Sequence, residues 1–214
     1  MVAALFVSAW ALRADSLEAI LTRMDQAAPG FTGLTANVIM DEYQAIIDSH
    51  TVQHGTFQMQ RAKKGEVTAV VAFTGTDDAR TLSFKGKTVL IYFPHLNTYQ
   101  QVDLGKNSQA LNQFLLLGFG SSGTQLKEGY TITVASQETA AGRPTTKLLL
   151  VPKDANVLKT LAKVEIWIPA DAAYPVQQQF YDPAGNYRKV SYDDIHLNPS
   201  IKVEFRLPPG AKKS

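Results

Sequence analysis

Apolar residues recurring at every second position predict a mainly β chain with a few helices, folded as a curved antiparallel sheet of about 10–11 strands. Three observations carry this. The alternation runs from Phe31 almost to the end of the chain. Turn signals such as Lys85-Gly86-Lys87 and Pro94-His95-Leu96-Asn97 separate the runs at hairpin spacing. Strand–helix–strand units of the kind that build parallel sheets do not recur.

The chain opens on an apolar run, Met1 to Ala11, that ends in the small-x-small pattern Ala9-Trp10-Ala11. Spanning a bilayer takes about 20 apolar residues, so this run reads instead as an export signal over 1–11. It has no basic residue ahead of it, as expected if the natural start lies upstream. Residues 12–214 then form one domain, long enough and apolar enough (45% hydrophobic, 19% charged) for a substantial core.

Asp15-Ser16-Leu17-Glu18 starts a helix, with Asp15 as N-cap and Glu18 three residues on as in a capping box. Leu17, Ile20, Leu21 and Met24 make its apolar face, and Pro29-Gly30 stops it. The strands follow. Leu34, Ala36, Val38 and Met40 share one face of the first, and Phe57, Met59 and Arg61 one face of the second. Val67, Ala69, Val71 and Phe73 share another, as do Thr88, Leu90 and Tyr92. After the midpoint come Tyr130, Ile132, Val134; Leu148, Leu150; Val164, Ile166, Ile168; and Val203, Phe205, Leu207.

One segment breaks the alternation. Asn107 to Leu117 has a polar start and helical spacing of Leu111, Phe114 and Leu115, and it runs into Gly118-Phe119-Gly120-Ser121-Ser122-Gly123. A short, very apolar helix followed by three glycines has two readings. It is core plugged into the open end of a sheet, or it is a lid hinged at Gly118, Gly120 and Gly123 over a hydrophobic cavity.

Catalytic chemistry finds no foothold. With no cysteine, disulfides, thiol catalysis and thiolate metal sites are excluded. Gly118 to Gly123 matches G-x-G-x-x-G, but the helix precedes the glycines where a dinucleotide site needs a strand. His50 and His54 fall in strand pattern, where their spacing puts them about 13 Å apart, too far to share a metal. His95 and His196 are isolated. The doublets Asp41-Glu42, Asp77-Asp78 and Asp193-Asp194 place neighbours on opposite faces and read as solvated strand ends. No serine sits in a G-x-S-x-G elbow. The 21 basic residues are scattered and the net charge is only +2, so a nucleic-acid footprint is not expected. No catalytic residue, metal or cofactor is predicted.

Three motifs in order resemble the LolA-type carriers that move lipoproteins across the periplasm of Gram-negative bacteria. His54-Gly55-Thr56-Phe57-Gln58-Met59-Gln60-Arg61 is similar to the family's G-x-L/F-x-x-x-R segment. Phe84-Lys85-Gly86-Lys87 through Tyr92-Phe93-Pro94 looks like its D-G-K-x-L-W-x-Y-x-P, with Lys85 in place of aspartate. Phe205-Arg206-Leu207-Pro208-Pro209-Gly210 is similar to its closing F-x-F-x-P-P-x-G. The likeness spans most of residues 12–214.

The resemblance implies an unclosed antiparallel half-barrel whose concave face is closed by a helical lid over a hydrophobic cavity. It implies a soluble, monomeric periplasmic chaperone that shields lipoprotein acyl chains on the way to the outer membrane. Its partners would be acylated lipoproteins or other lipids, an inner-membrane release complex and an outer-membrane acceptor. Arg61 occupies the position of the family's latch arginine, although Ala62 stands where proline usually follows. The lid candidates are Leu111, Phe114, Leu115, Leu116, Leu117 and Phe119. The cavity candidates are Phe57, Met59, Phe73, Leu90, Tyr92, Ile166 and Ile168. The alternative keeps the fold as a lipid-binding or sensor module rather than a general carrier.

Overall fold

The structure, a computed structural model, describes residues 15–62, 65–75, 79–105 and 115–214. The expected export signal, the Asp77-Asp78 doublet, and Leu111 and Phe114 lie outside the described residues.

Helix α1 (Leu17–Ala27) leads into a 3-10 turn, Ala28–Gly30. Its N-cap is Ser16, one residue later than the sequence predicts, because the Ser16 hydroxyl accepts from the Ala19 amide while Asp15 pairs with Arg23 at 2.9 Å. Strands β1 (Gly33–Gln44) and β2 (Ser49–Arg61) form the longest hairpin, turning through Ala45–Ile47. Then come β3 (Val67–Thr74), β4 (Arg80–Lys85), β5 (Thr88–Phe93) and β6 (Thr98–Asp103). A short helix α2 (Gly123–Gly129) precedes β7 (Tyr130–Ala140) and β8 (Arg143–Pro152). One turn of helix, α3 (Ala155–Leu158), leads to β9 (Lys163–Pro169), β10 (Gln177–Tyr181), β11 (Tyr187–Leu197) and the short β12 (Lys212–Lys213).

Among the described residues twelve strands lie in one sheet, in the order β12-β6-β5-β4-β3-β2-β1-β11-β10-β9-β8-β7. The chain thus builds two meanders that meet where β1 pairs with β11. Every pairing is antiparallel except β12 against β6. The order is linear and β7 does not pair back to β12, so the sheet is unclosed.

Directly opposed residues in a ladder point to one face. Leu34 opposes Met59, Ala36 opposes Phe57, Phe57 opposes Val71 and Met59 opposes Ala69, which carries one apolar face across β1, β2 and β3. Leu148 opposes Ile166, and Ile166 opposes Gln178, which carries the same face across β8, β9 and β10. This is the concave face. Its first half gathers Leu34, Met59, Val67, Phe84 and Phe119 into one buried cluster. Its second half buries Leu148, Leu150, Val164, Ile166 and Ile168 beneath Ile20, Leu21 and Met24 of α1. Side chains removed this fully from water stabilise by about 1.5–3 kcal/mol each.

The chain end departs from the alternation that Val203, Phe205 and Leu207 suggest. Residues 199–208 form no strand. They cross the opposite, convex face, where the Val203 amide donates to Gln60 and Phe205 packs 5.9 Å from Tyr92 between ring centres. The prolines explain the difference, since Pro208-Pro209 removes two ladder donors in succession.

Two outcomes are expected. Ile166→Ala, at a position with no solvent exposure, costs about 2–5 kcal/mol in urea unfolding with little change in slope. At the α1–α2 contact, the Thr124 amide donates to Asp25 at 2.9 Å and holds that carboxyl below its ordinary value of 3.8. A depressed folded value means that the link acts above that point and is lost as pH falls through the folded pKa. Asp25→Asn is therefore expected to flatten the stability curve below about pH 4, read by denaturation at stepped pH.

Candidate functional site

The site is the roof over the middle of the concave face. Residues 115–122 form it, crossing between the two apolar clusters: Leu115, Leu116 and Phe119 pack on the first and Leu117 enters the second. Leu117 and Phe119 are buried, while Leu115 and Leu116 are half-buried. Phe119 sits edge-on to Tyr192 at 4.9 Å and stacks with Tyr174 at 6.2 Å.

Arg61, at the end of β2, fixes this roof. Its Nε donates to the Phe31 carbonyl at 3.1 Å, and Nη1 donates to the Gly120 carbonyl at 3.0 Å. Nη2 donates to the carbonyls of Ala28 at 2.6 Å and Phe31 at 2.7 Å. The guanidinium also lies 5.5 Å from the centre of the Phe31 ring. Three carbonyls from two separate segments are thus satisfied by one planar fork, and among the described residues no carboxylate pairs with it. Hydrogen bonds from a charged donor contribute about 1.5–3 kcal/mol each; one of these reaches the roof at Gly120 and the rest hold the Ala28–Phe31 segment beside it.

A second tie comes from inside the sheet. Gln178 of β10 is buried, and its Nε2 donates to the Leu117 carbonyl at 2.7 Å; its Oε1 accepts from the Tyr192 hydroxyl at 2.6 Å. Burial pushes the Tyr192 phenol far above its ordinary value, so it stays a neutral donor and fixes which end of the amide faces the roof. Within the roof, the Ser121 hydroxyl donates to the Leu116 carbonyl and accepts from the Gly118 amide.

The three glycines are close-packing positions. Gly118 and Gly120 have φ of +77° and +76°, in the left-handed region. A β-carbon on Gly120 would lie 2.2 Å from the Phe31 ring, one on Gly118 2.9 Å from Pro175, and one on Gly123 2.4 Å from the Leu21 carbonyl oxygen. Gly123 opens α2, whose Ser122 and Gln125 form a complete capping box. What the sequence suggests as a hinge is, in this structure, a clamped turn.

Phe57, Met59 and Phe73 face the roof from the first half of the trough. Ile166 and Ile168 lie on the same face but under α1, as fixed core. Leu90 and Tyr92 correct the expectation. Leu90 opposes Ser83 and Tyr92 opposes Thr81, whereas the inward residues Phe84 and Leu82 oppose Val89 and Ile91. The face of β5 that reads as apolar therefore looks away from the trough, and Tyr92 is covered by Phe205. The concave contribution of β5 comes from its other face, where Val89 packs against the first cluster.

Phe119 and Leu117 fill the centre of the trough. Beside them a cavity of about 410 Å³ remains, bounded by Leu116, Leu117, Ser121, Leu126, Gly129 and Tyr130. Its lining is mixed, with Gln125 and Glu128 beside the apolar residues. Partial burial raises the Tyr130 phenol. The sequence reading missed Gln178, Tyr192 and this α2–β7 wall. The run Gln177-Gln178-Gln179 between Val176 and Phe180 was the available signal, since alternation forces one glutamine inward.

No family model matches the chain, and no curated protein matches it. Solved structures do. An uncharacterized conserved protein from Thermus thermophilus superposes with a TM-score of 0.55 at 12% identity, covering 94% of this chain and 99% of that one. The Mycobacterium tuberculosis lipoprotein LppX gives 0.53 at 15% identity, covering 88% and 98%. MucB gives 0.51 at 13% identity, covering 91% of this chain and 62% of its own, so this chain spans about three fifths of MucB. These likenesses, at 12–15% identity, show a shared fold.

Arg61→Lys, which keeps the charge and loses the fork, is expected to cost about 1–3 kcal/mol and to speed hydrogen exchange at the Gly118–Ser122 amides before the rest of the sheet. Gly120→Ala is expected to lower the melting temperature more than Gly129→Ala, because nothing lies within 4 Å of a β-carbon at Gly129.

Proposed function

We propose that this protein is a periplasmic carrier that shields the acyl chains of lipoproteins on their way to the outer membrane. The observation that supports the reading is the Arg61 clamp, which joins the roof at Gly120 and the Ala28–Phe31 segment to the end of β2 over an apolar trough. The work needs no catalytic group. Each methylene kept from water is worth about 0.8 kcal/mol, so acyl chains cannot cross an aqueous gap unaided.

In this reading the roof is a lid and Arg61 its latch. The two lid states differ in few polar bonds, those of the Arg61 guanidinium and the Gln178 amide, which keeps them within reach of each other. Cargo holds the lid open by replacing Phe119 and Leu117 in the trough. Release needs an acceptor with greater affinity, because a carrier that bound uniformly tightly would keep its load. A release complex in the inner membrane and an acceptor in the outer membrane complete the route.

The second reading, a lipid-binding or sensor module of the same fold, is favoured by the size of the remaining space. About 410 Å³ is the scale of a site for one small ligand rather than for a bundle of acyl chains. A pull-down separates the two: a carrier captures many lipoproteins, a sensor one partner.

Mass spectrometry of the protein as isolated is expected to reveal a co-purifying acyl lipid; none would count against both readings. Leu116→Glu, at a half-buried roof position, is expected to weaken displacement-assay binding of a fluorescent fatty acid by about tenfold or more with only a small fall in melting temperature. Arg61→Leu is expected to retain cargo and pass it on poorly; normal transfer would remove the latch from the mechanism.

A further inference from the structure

We propose that one end of the sheet, led by the β1–β2 hairpin, docks on a phospholipid bilayer, with Ile46 and Ile47 as the side chains that enter the lipid. This goes beyond the carrier reading and stands without it.

Ile46 is 92% exposed and Ile47 64%, on a turn where no apolar neighbour covers them among the described residues. The turn itself is tied to its neighbours. The Ala45 amide is held by Asn186 of the neighbouring hairpin at 2.9 Å, and Asp48 closes the turn in the left-handed conformation at φ +48°. The exposure is therefore built in, not a consequence of a loose loop. Pairing of β1 with β2 runs out to Gln44 and Ser49, while β3 joins β2 only from His54. The tip thus projects roughly 16 Å beyond β3.

The register places other loops at this end. Tyr130 opposes Pro152, Lys163 opposes Tyr181, Tyr181 opposes Tyr187 and Tyr187 opposes Tyr43. The same end carries the β5–β6 turn with Leu96, 72% exposed, and α3 with the exposed Val157 and Leu158. It also carries Gly129 and Tyr130, at the wall of the 410 Å³ cavity.

Behind the tip lies a tyrosine ladder. Tyr43 stacks on Tyr187 at 5.0 Å, Tyr187 meets Tyr181 at 5.7 Å, and the Lys163 ammonium sits 4.1 Å from the centre of the Tyr181 ring. Aliphatic tips ahead of a belt of tyrosines match the layering of a bilayer interface, hydrocarbon first and headgroups behind. A narrow projecting tip of this kind penetrates a soft interface better than it seals against a flat protein. Charges of both signs are interspersed at this end: Asp41 pairs with Lys189, Glu42 with Arg188 and Glu165 with Lys163, and Lys153, Lys159, Lys212 and Lys213 stand among Asp48, Asp154, Asp182 and Glu128. The chemistry therefore fits a zwitterionic surface, without need of anionic lipid.

The test is partitioning of the full chain onto phosphatidylcholine vesicles, by co-sedimentation. The parent chain is expected to bind, and Ile46→Asp combined with Ile47→Asp to bind roughly tenfold or more weakly at unchanged melting temperature. Ile47→Trp is expected to shift its emission to the blue on vesicles and to be quenched by brominated acyl chains. No binding by the parent, or equal binding by the double variant, overturns the proposal. So does binding that needs phosphatidylglycerol and vanishes with salt. A concentration-dependent dimer that the double variant abolishes, with no vesicle binding, assigns the tip to a second copy instead. Fatty-acid capture measured on the same double variant separates this proposal from the carrier reading, since only vesicle binding should change.

Discussion

The cover over the first half of this sheet's concave face depends on the Arg61 guanidinium. An open antiparallel sheet has one apolar face to cover, and here the cover consists of segments that form few backbone ladders of their own. The carbonyls at Phe31 and Gly120 need donors, which unmet in the interior would cost about 1–3 kcal/mol apiece, and that of Ala28, already bonded to the Phe31 amide, takes a second. One arginine at the end of β2 supplies all three. Because it reads backbone rather than side chains, the clamp constrains where the cover lies and leaves its composition free. That also explains the glycine at position 120: its carbonyl can reach Arg61 only with the chain left-handed and pressed against Phe31.

The second constraint is polar and sits in the floor. Gln178 stands among isoleucines and valines, where an unpaired amide would be costly, and is satisfied at both ends by Tyr192 and Leu117. A hydrophobic floor accepts any apolar roof in any register. An amide with one defined orientation accepts only a carbonyl at one place, so Gln178 sets where the roof rests while Arg61 holds its edge. Ser121, bonded within the roof to Leu116 and Gly118, keeps that carbonyl-bearing turn in shape.

Much of the fold was legible because the period of two is a direct consequence of backbone pleating. The inward sets on β1, β2, β3, β8 and β9 read correctly from the sequence for that reason. What alternation cannot give is which face is concave. On β5 both faces are apolar, Leu90 and Tyr92 on one and Val89 and Ile91 on the other, and only the register with β4 decides between them. The stretch through Val203, Phe205 and Leu207 misleads similarly: apolar alternation marks contact with a surface, and here the surface is the convex face rather than a ladder. Arg61 stood out by its motif position, but its acceptors were invisible, since backbone carbonyls carry no signature in a sequence. Gln178 was hidden in a run of three glutamines whose burial follows only from strand placement.

Phe119 gives the proposed carrier cycle its energetic logic. An empty apolar trough in water would invite collapse or aggregation, and the closed state avoids this by inserting a ring that is 1% exposed between Tyr192 and Tyr174. The ring occupies part of the space that cargo would need. In the proposed cycle, an incoming acyl chain therefore does not gain the full transfer free energy of its methylenes. It gains that quantity less the cost of displacing Phe119 and Leu117 and of parting the Arg61 and Gln178 bonds. This subtraction is useful to a carrier. It lowers net affinity without making the trough any less dry, so a loaded protein can surrender its cargo to an acceptor that has no such plug to remove.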